Sequence, residues 1–264
     1  MSYVPHELFE SAVPYYSRYR AGYPAHRVDA LALRVGLDGS QRVVDIGCGT
    51  GQIAIPLARH AGSVTAIDPV AEMLTYGAAA AQAAGVENIS WRQGDSGSLP
   101  ALVEPGARLA GFAASFHWTD RPAVVTVLDG LLDGHGRIVI INDLLDDSEQ
   151  PEWQDAIAAI RSRYLGAQRR AGTGLYARPG PSHQDVLRHS AFSEVETLTW
   201  SWTRSLTVDE AVGLQFSYSF STPAQFGGQA RAFAGDVRAA VLALHPSGVI
   251  PEPFRLEVLV ASRP

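Results

Sequence analysis

An α/β fold with a mostly parallel sheet is predicted by two features of the sequence. Short apolar runs alternate with helical stretches from Arg42 to Asn142, and a glycine-rich turn separates the first run from the first of these helices. Strands joined through helices imply right-handed crossovers, which place helices on both faces of the sheet. The 264 residues suit one such domain with insertions.

The elements follow in order. Residues 1–41 read as an aromatic arm, with Tyr15, Tyr16, Tyr19 and Tyr23 close together and Pro14 and Pro24 as breakers, leading to a helix from His26 to Val35. Residues 42–143 carry the alternation. Val43, Val44 and Ile46 form the first strand, GCGTG the turn, and Gln52–His60 a helix. Strands are expected at Ser63–Asp68, Ile89–Gln93, Leu109–Ser115 and Arg137–Asn142, with helices at Ala71–Ala84 and Pro122–Leu132. In 144–264 the rhythm breaks. Helices near Glu152–Leu165, Gln184–His189, Val208–Ser219 and Arg231–Leu244 are expected to form a lid, and strands Val195–Thr203 and Arg255–Ala261 to complete the same sheet. The turn-rich stretches 171–182 and 221–228 lie between them, and the whole is expected to form one domain.

Composition excludes several chemistries. All 21 basic residues are arginine, so no lysine can form a Schiff base, bind phosphate in a Walker loop or act as a general base. The net charge of −6 disfavours a nucleic-acid partner. The one cysteine, Cys48, can form neither an intrachain disulfide nor a cysteine-based zinc site, and it reads as a small filler of the glycine turn. The histidines show no HxH or HExxH spacing, so no catalytic metal is expected. With no signal-peptide pattern at MSYVPHELFE and no apolar run of membrane-spanning length, a cytoplasmic location and no membrane partner are expected.

The strongest motif is VVDIGCGTG, residues 43–51. Glycines between strand and helix let a ligand approach the backbone, and free amides at the helix start favour a carboxylate or phosphate. Asp68 ends the next strand, where a carboxylate can accept ribose hydroxyls. Nicotinamide dinucleotide sites share both features, but Asp45 would repel a pyrophosphate, whereas it suits the ammonium and sulfonium of S-adenosylmethionine.

With these residues in place, the chain resembles the class I S-adenosylmethionine-dependent methyltransferases, within them the trans-aconitate and natural-product group acting on small molecules. The resemblance rests on YYSRYRAGYP (15–24), VVDIGCGTG, AIDPVAEML (66–74), QGDSGSLP (93–100) and AASFHWTD (113–120), with a looser match at GLQFSYSF (213–220). It implies a Rossmann-like, seven-stranded sheet and S-adenosylmethionine as cofactor, with S-adenosylhomocysteine as product. On this likeness Asp45 and the backbone of Gly47, Gly49 and Gly51 hold the methionine end, and Asp68 holds the ribose. Pro69 or Met73 packs on the adenine, Asp95 and Ser96 contact its amino group, and Ser115 and His117 sit near the methionine moiety and the acceptor. Tyr16 and Arg20 help close the site.

Two readings stay open at several positions. His117 either takes a proton from the acceptor or only shapes the pocket, with His183 as the reserve base. Asp95 also suits a turn, and Asp120 suits a helix cap better than an acid or base. Trp200, Trp202, Phe216, Tyr218 and Phe220 are core or acceptor pocket, while Arg18, Arg20 and Arg178 are solvated or bind an acidic acceptor. AASFHW stands where amino-methylating enzymes of nucleic acid or protein glutamine carry N/D-P-P-Y/F, which argues for a small-molecule acceptor, with oxygen favoured over nitrogen or carbon. A non-catalytic or cyclisation-type binder of S-adenosylmethionine is the alternative, and an NAD-dependent oxidoreductase a weaker one.

Overall fold

The computed structural model describes residues 9–144, 150–168, 170–171, 174–175 and 180–264. The helices comprise α1 (Val13–Tyr19), α2 (Ala25–Arg34), α3 (Ala54–Ala58), α4 (Ala71–Ala83), α5 (Leu99–Leu102), α6 (Arg121–Leu131), α7 (Glu152–Leu165), α8 (His183–Arg188), α9 (Val208–Gln215), α10 (Pro223–Phe226) and α11 (Ala230–Leu244). Seven strands, β1 (Arg42–Ile46), β2 (Ser63–Asp68), β3 (Ile89–Gln93), β4 (Ala107–Ala113), β5 (Leu132–Asp143), β8 (Glu194–Thr207) and β9 (Val249–Ser262), form one sheet. Two-residue strands β6 (Arg170–Ala171) and β7 (Gly174–Leu175) pair separately.

The sheet order is β3-β2-β1-β4-β5-β9-β8, parallel from β3 to β5 and antiparallel between β5 and β9. This is the expected Rossmann-like, mostly parallel sheet. Its order reverses between β1 and β4, and at such a switch point the carboxyl ends of the strands leave a crevice. Alternation along β5 feeds both faces. Ile138 and Ile140 pack with Val124 and Leu128 of α6 and Leu187 of α8, while Val139 and Ile141 line the opposite side with Leu31 of α2 and Leu57 of α3.

The chain divides into two compact units. One comprises Ala21–Asp143, Arg178–Trp200 and Leu256–Pro264, the other Met1–Arg20, Leu144–Ala177 and Ser201–Arg255. The first has the sheet core just described. The second has its own core, in which Trp153, Ile157 and Ile160 of α7 meet Leu214 and Phe216 and, from α11, Phe233, Val237 and Val241. Gly213 lets α1 come close, because a Cβ there would lie 2.2 Å from the Tyr19 ring.

Several elements depart from expectation. Pro14 does not break the arm: it sits in the first turn of α1, where its missing N–H costs nothing. The helix after the glycine turn is short, because Gly51–Ile53 still form turns before Ala54. Strand β9 begins at Val249, ahead of the expected Arg255, and passes through Pro251 and Pro253. Both prolines precede Leu256, where pairing with β5 ends, so no ladder donor is needed there on that side. Asp120 caps α6, accepting from the Ala123 amide at 3.1 Å.

Candidate active site at the carboxyl ends of the core strands

Asp45 lies in β1, paired with Ala66 on one side and Gly111 on the other, and is fully buried. Neither carboxylate oxygen closes a hydrogen bond. Burial, and then the neighbouring Asp68 carboxylate, push its pKa up to about 8, and the Ala54 amide offsets them least. An ionised carboxylate with no partner is costly to bury. Asp45 is therefore poised to ionise when a cation arrives.

Asp68 is also buried, but its oxygens are occupied. Oδ2 accepts from the Gly49 amide and Oδ1 from the Val70 amide, both at 2.9 Å. Burial raises its pKa, and the two amides pull it back. The turn between them is held by three glycines at positive φ, Gly47 (69°), Gly49 (54°) and Gly51 (87°), which only glycine adopts readily.

The amides of the turn glycines are themselves taken up within the fold. The Gly47 and Cys48 amides both donate to the Ile67 carbonyl, at 2.8 and 3.0 Å, and the Gly51 amide donates to Cys48 at 2.9 Å. With the Gly49 amide on Asp68, the amides of Gly47, Cys48 and Gly49 fasten the turn to β2, and that of Gly51 closes the turn on itself. Two buried acids thus stand beside the turn, a setting that suits a cation and disfavours a pyrophosphate.

Ser115 closes the other wall. Its hydroxyl donates to the Ile46 carbonyl, and its Cβ stands where a Gly47 side chain would go, 2.5 Å from an added Cβ. Ala114, just before it, is at φ 55°, an uncommon conformation for alanine that turns the chain out of β4. The 3-10 turn Phe116–Trp118 follows, with the His117 ring 4.6 Å from that of Trp118.

Asp95 and Ser96 follow β3. The Gly94 amide donates to the Asp68 carbonyl at 3.1 Å, which brings this loop beside the acid. Asp95 is exposed, and its Oδ1 organises the turn, accepting from the amides of Gly97 (3.0 Å) and Ser98 (3.1 Å). Pro69 is half-buried and its carbonyl accepts from Gln93, whereas Met73 is only 2% exposed on α4. Of the two offered to the adenine face, Pro69 is therefore the more accessible. Cys48 is buried, with its thiol pKa pushed well up by burial and the nearby acids. That suits a filler and not a nucleophile.

Tyr16 and Arg20 belong to the second unit. Arg20 stacks on Tyr218 (4.2 Å) and Tyr16 (5.3 Å), its Nη2 donates to Ser217 at 3.4 Å, and its Nε is buried without a hydrogen bond. Arg178 lies outside the described residues. His183 is corrected as a reserve base: it belongs to the sheet unit, and burial and the Arg121 guanidinium lower its pKa to about 4. Arg121 and Asn142 were not foreseen. Asn142 is the last residue but one of β5, with its Nδ2 buried and unbonded, and only the structure shows this.

Comparison with known proteins agrees with this geometry. Residues 43–136 match the protein family described as "Methyltransferase domain". An uncharacterized methyltransferase of Mycobacterium tuberculosis is 27% identical over 90% of this chain and 87% of its own length. Among solved structures, the YcgJ protein from Bacillus subtilis aligns with a TM-score of 0.55 at 16% identity, covering 91% of this chain and all of that one. The [4+2]-cyclase SpnF aligns at 0.54 and 18% identity, over 98% of this chain and 94% of that one. Fold, glycine turn and relatives define an S-adenosylmethionine-dependent methyltransferase. More narrowly, the matched domain and the fold are those of the class I enzymes, for which S-adenosylmethionine is the methyl donor. Among the described residues no helix is long and apolar enough to cross a membrane.

Proposed function

We propose that this methyltransferase acts on a small organic acceptor in the cytoplasm, within the trans-aconitate and natural-product group, with oxygen as the favoured acceptor atom and secondary metabolism as the setting. The observation that carries the cofactor assignment is Asp45, a buried carboxylate with two unbonded oxygens. The ammonium of S-adenosylmethionine supplies the missing charge, and the carbonyls around Gly47, Gly49 and Gly51 supply further acceptors. Asp68 retains lone pairs beyond its two amide bonds for the ribose hydroxyls. Pro69 and Met73 are assigned to the adenine face, Asp95 and Ser96 to its amino group, Ser115 to the methionine end, and Tyr16 and Arg20 to closure.

When bound, S-adenosylmethionine supplies an electrophilic methyl on a sulfonium. The chain's own contribution is alignment and water exclusion, which can account for several kcal/mol of a displacement barrier. His117, two residues past Ser115, takes the acceptor proton. His117→Ala should leave S-adenosylhomocysteine affinity within about twofold while turnover drops by about 100-fold. Unchanged turnover removes the general-base role.

Calorimetric titration with S-adenosylmethionine, S-adenosylhomocysteine and NAD in parallel tests the cofactor assignment. The first two should bind and the third should not; NAD binding alone reverses the assignment. The pH dependence follows from Asp45. Its pKa near 8 leaves it protonated at pH 6, and pairing with an ammonium requires the charged form. Binding therefore releases close to one proton, and affinity rises by about tenfold from pH 6 to pH 7. Titrations in buffers of different ionisation enthalpy read that proton directly, and a pH-independent affinity with no proton released counts against Asp45 as the ammonium site.

A further inference from the structure

Arg121 opens α6, immediately after the loop that carries His117, and is only 7% exposed. Its Nη1 donates to the Pro181 carbonyl at 2.8 Å and to His183 Nδ1 at 3.1 Å. Among the described residues no carboxylate pairs with it. Asp120 is taken up as the α6 cap, and Asp185 is bound within the Ser182 capping box of α8. Burying a guanidinium without a counter-charge is unfavourable, and burial lowers its pKa.

The choice of partner is informative. His183 Nδ1 faces a permanent donor, so the ring is neutral with its hydrogen on Nε2. A carboxylate in that place would have cancelled the charge of Arg121; a neutral imidazole fixes the guanidinium plane and leaves the charge intact. Since Nη1 makes both bonds, the edge formed by Nε and Nη2 remains, and that edge takes a carboxylate side-on through two parallel hydrogen bonds. The His183 ring lies 5.2 Å from that of Phe116, which places the pair against the turn holding His117.

We infer that Arg121 anchors a carboxylate of the methyl acceptor and that His183 is its positioning residue, which narrows the acceptor class to carboxylic acids. This rests on the methyltransferase reading above. A carboxylate clamped by a guanidinium fork has its charge neutralised and is a weakened nucleophile, so it is the handle of the acceptor, and the methyl goes to another atom of the same molecule.

The test uses matched probes on the full chain saturated with S-adenosylhomocysteine: benzoate against benzamide, 4-hydroxybenzoate against 4-hydroxybenzamide, and succinate against succinamide. In at least one pair the acid should bind tenfold or more tightly than its amide. Arg121→Gln should bring that ratio close to one, and Arg121→Lys, which keeps the charge but not the fork, should retain part of it. His183→Gln should lower the ratio severalfold without changing S-adenosylhomocysteine affinity. Equal binding of acid and amide in every pair, or a preference that survives Arg121→Gln, overturns the assignment. Should Arg121→Gln fail to fold, an unchanged ratio in Arg121→Lys overturns it instead. Absence of S-adenosylhomocysteine binding in the unaltered protein would defeat the underlying reading, whereas intact binding without acid preference defeats only the role of Arg121.

Discussion

Asp45→Asn should lower affinity for S-adenosylmethionine and S-adenosylhomocysteine by about two orders of magnitude and, in the same protein, raise the stability of the ligand-free state. Asparagine keeps the volume and an acceptor oxygen but removes the charge. Two hydrogen bonds to a charged group contribute on the order of 3 kcal/mol, which sets the expected loss of affinity. The gain in stability follows from linkage. The Asp45 pKa is near 8 in the folded chain, well above the ordinary carboxylate value near 4, so the folded state holds a proton that the unfolded state has already released. Stability of the unaltered protein therefore falls as pH rises from about 4 to about 8, by an amount on the order of a few kcal/mol. The asparagine variant lacks this loss, and its advantage should widen through that window and then level off. Urea unfolding at pH 5 and pH 8 reads the difference. Equal stability of the two proteins at pH 8 would show that the buried Asp45 carboxylate costs the fold nothing, and undiminished ligand binding by the variant would show that Asp45 is not the cation's partner.

The same residue marks how far the sequence could be read. That Asp45 lies near the end of the first strand beside a glycine turn is visible in VVDIGCGTG, because strand period and glycine spacing are local properties. That both its oxygens are unbonded depends on where β2, β4 and the Ala54 amide come to lie, and these are contacts across the chain. The way the turn is fastened has a similar origin: the Ile67 carbonyl and the Asp68 carboxylate reach the amides of Gly47, Cys48 and Gly49 from β2. Likewise His183 read as a reserve base until its distant partner was seen. Arg121 is 62 residues away in sequence, and no spacing rule links the two. Helix α1 was hidden by Pro14, since a proline in a first turn and a proline that breaks a helix look alike before the helix boundary is known. Local patterns carried the sheet and the cofactor turn, whereas protonation states and the acceptor's anchor arise only from tertiary packing.

Gly47→Ala is expected to be the most damaging single change in the glycine turn. Two costs combine there. A non-glycine residue at φ 69° is strained by about 1 kcal/mol, and an added Cβ would stand 2.5 Å from Ser115 Cβ, an overlap that must move β1 or the end of β4 at a further cost of about 1–3 kcal/mol. Movement there shifts both walls of the cofactor site, so affinity for S-adenosylhomocysteine should drop along with the midpoint of urea unfolding. Two comparisons separate the causes. Gly39 has φ 94° but nothing within 4 Å of an added Cβ, so Gly39→Ala should show the strain alone and leave binding unchanged. Ser115→Gly removes the opposing Cβ, so adding it to Gly47→Ala should recover the steric part of the loss, making the pair less harmful than the sum of the singles. The Ser115 hydroxyl bond to Ile46 is lost in that pair, so recovery stays incomplete. If Gly47→Ala proves no worse than Gly39→Ala, the contact between β1 and the end of β4 is not what shapes the turn, and the geometry of the site must be set from the β2 side through Ile67 and Asp68.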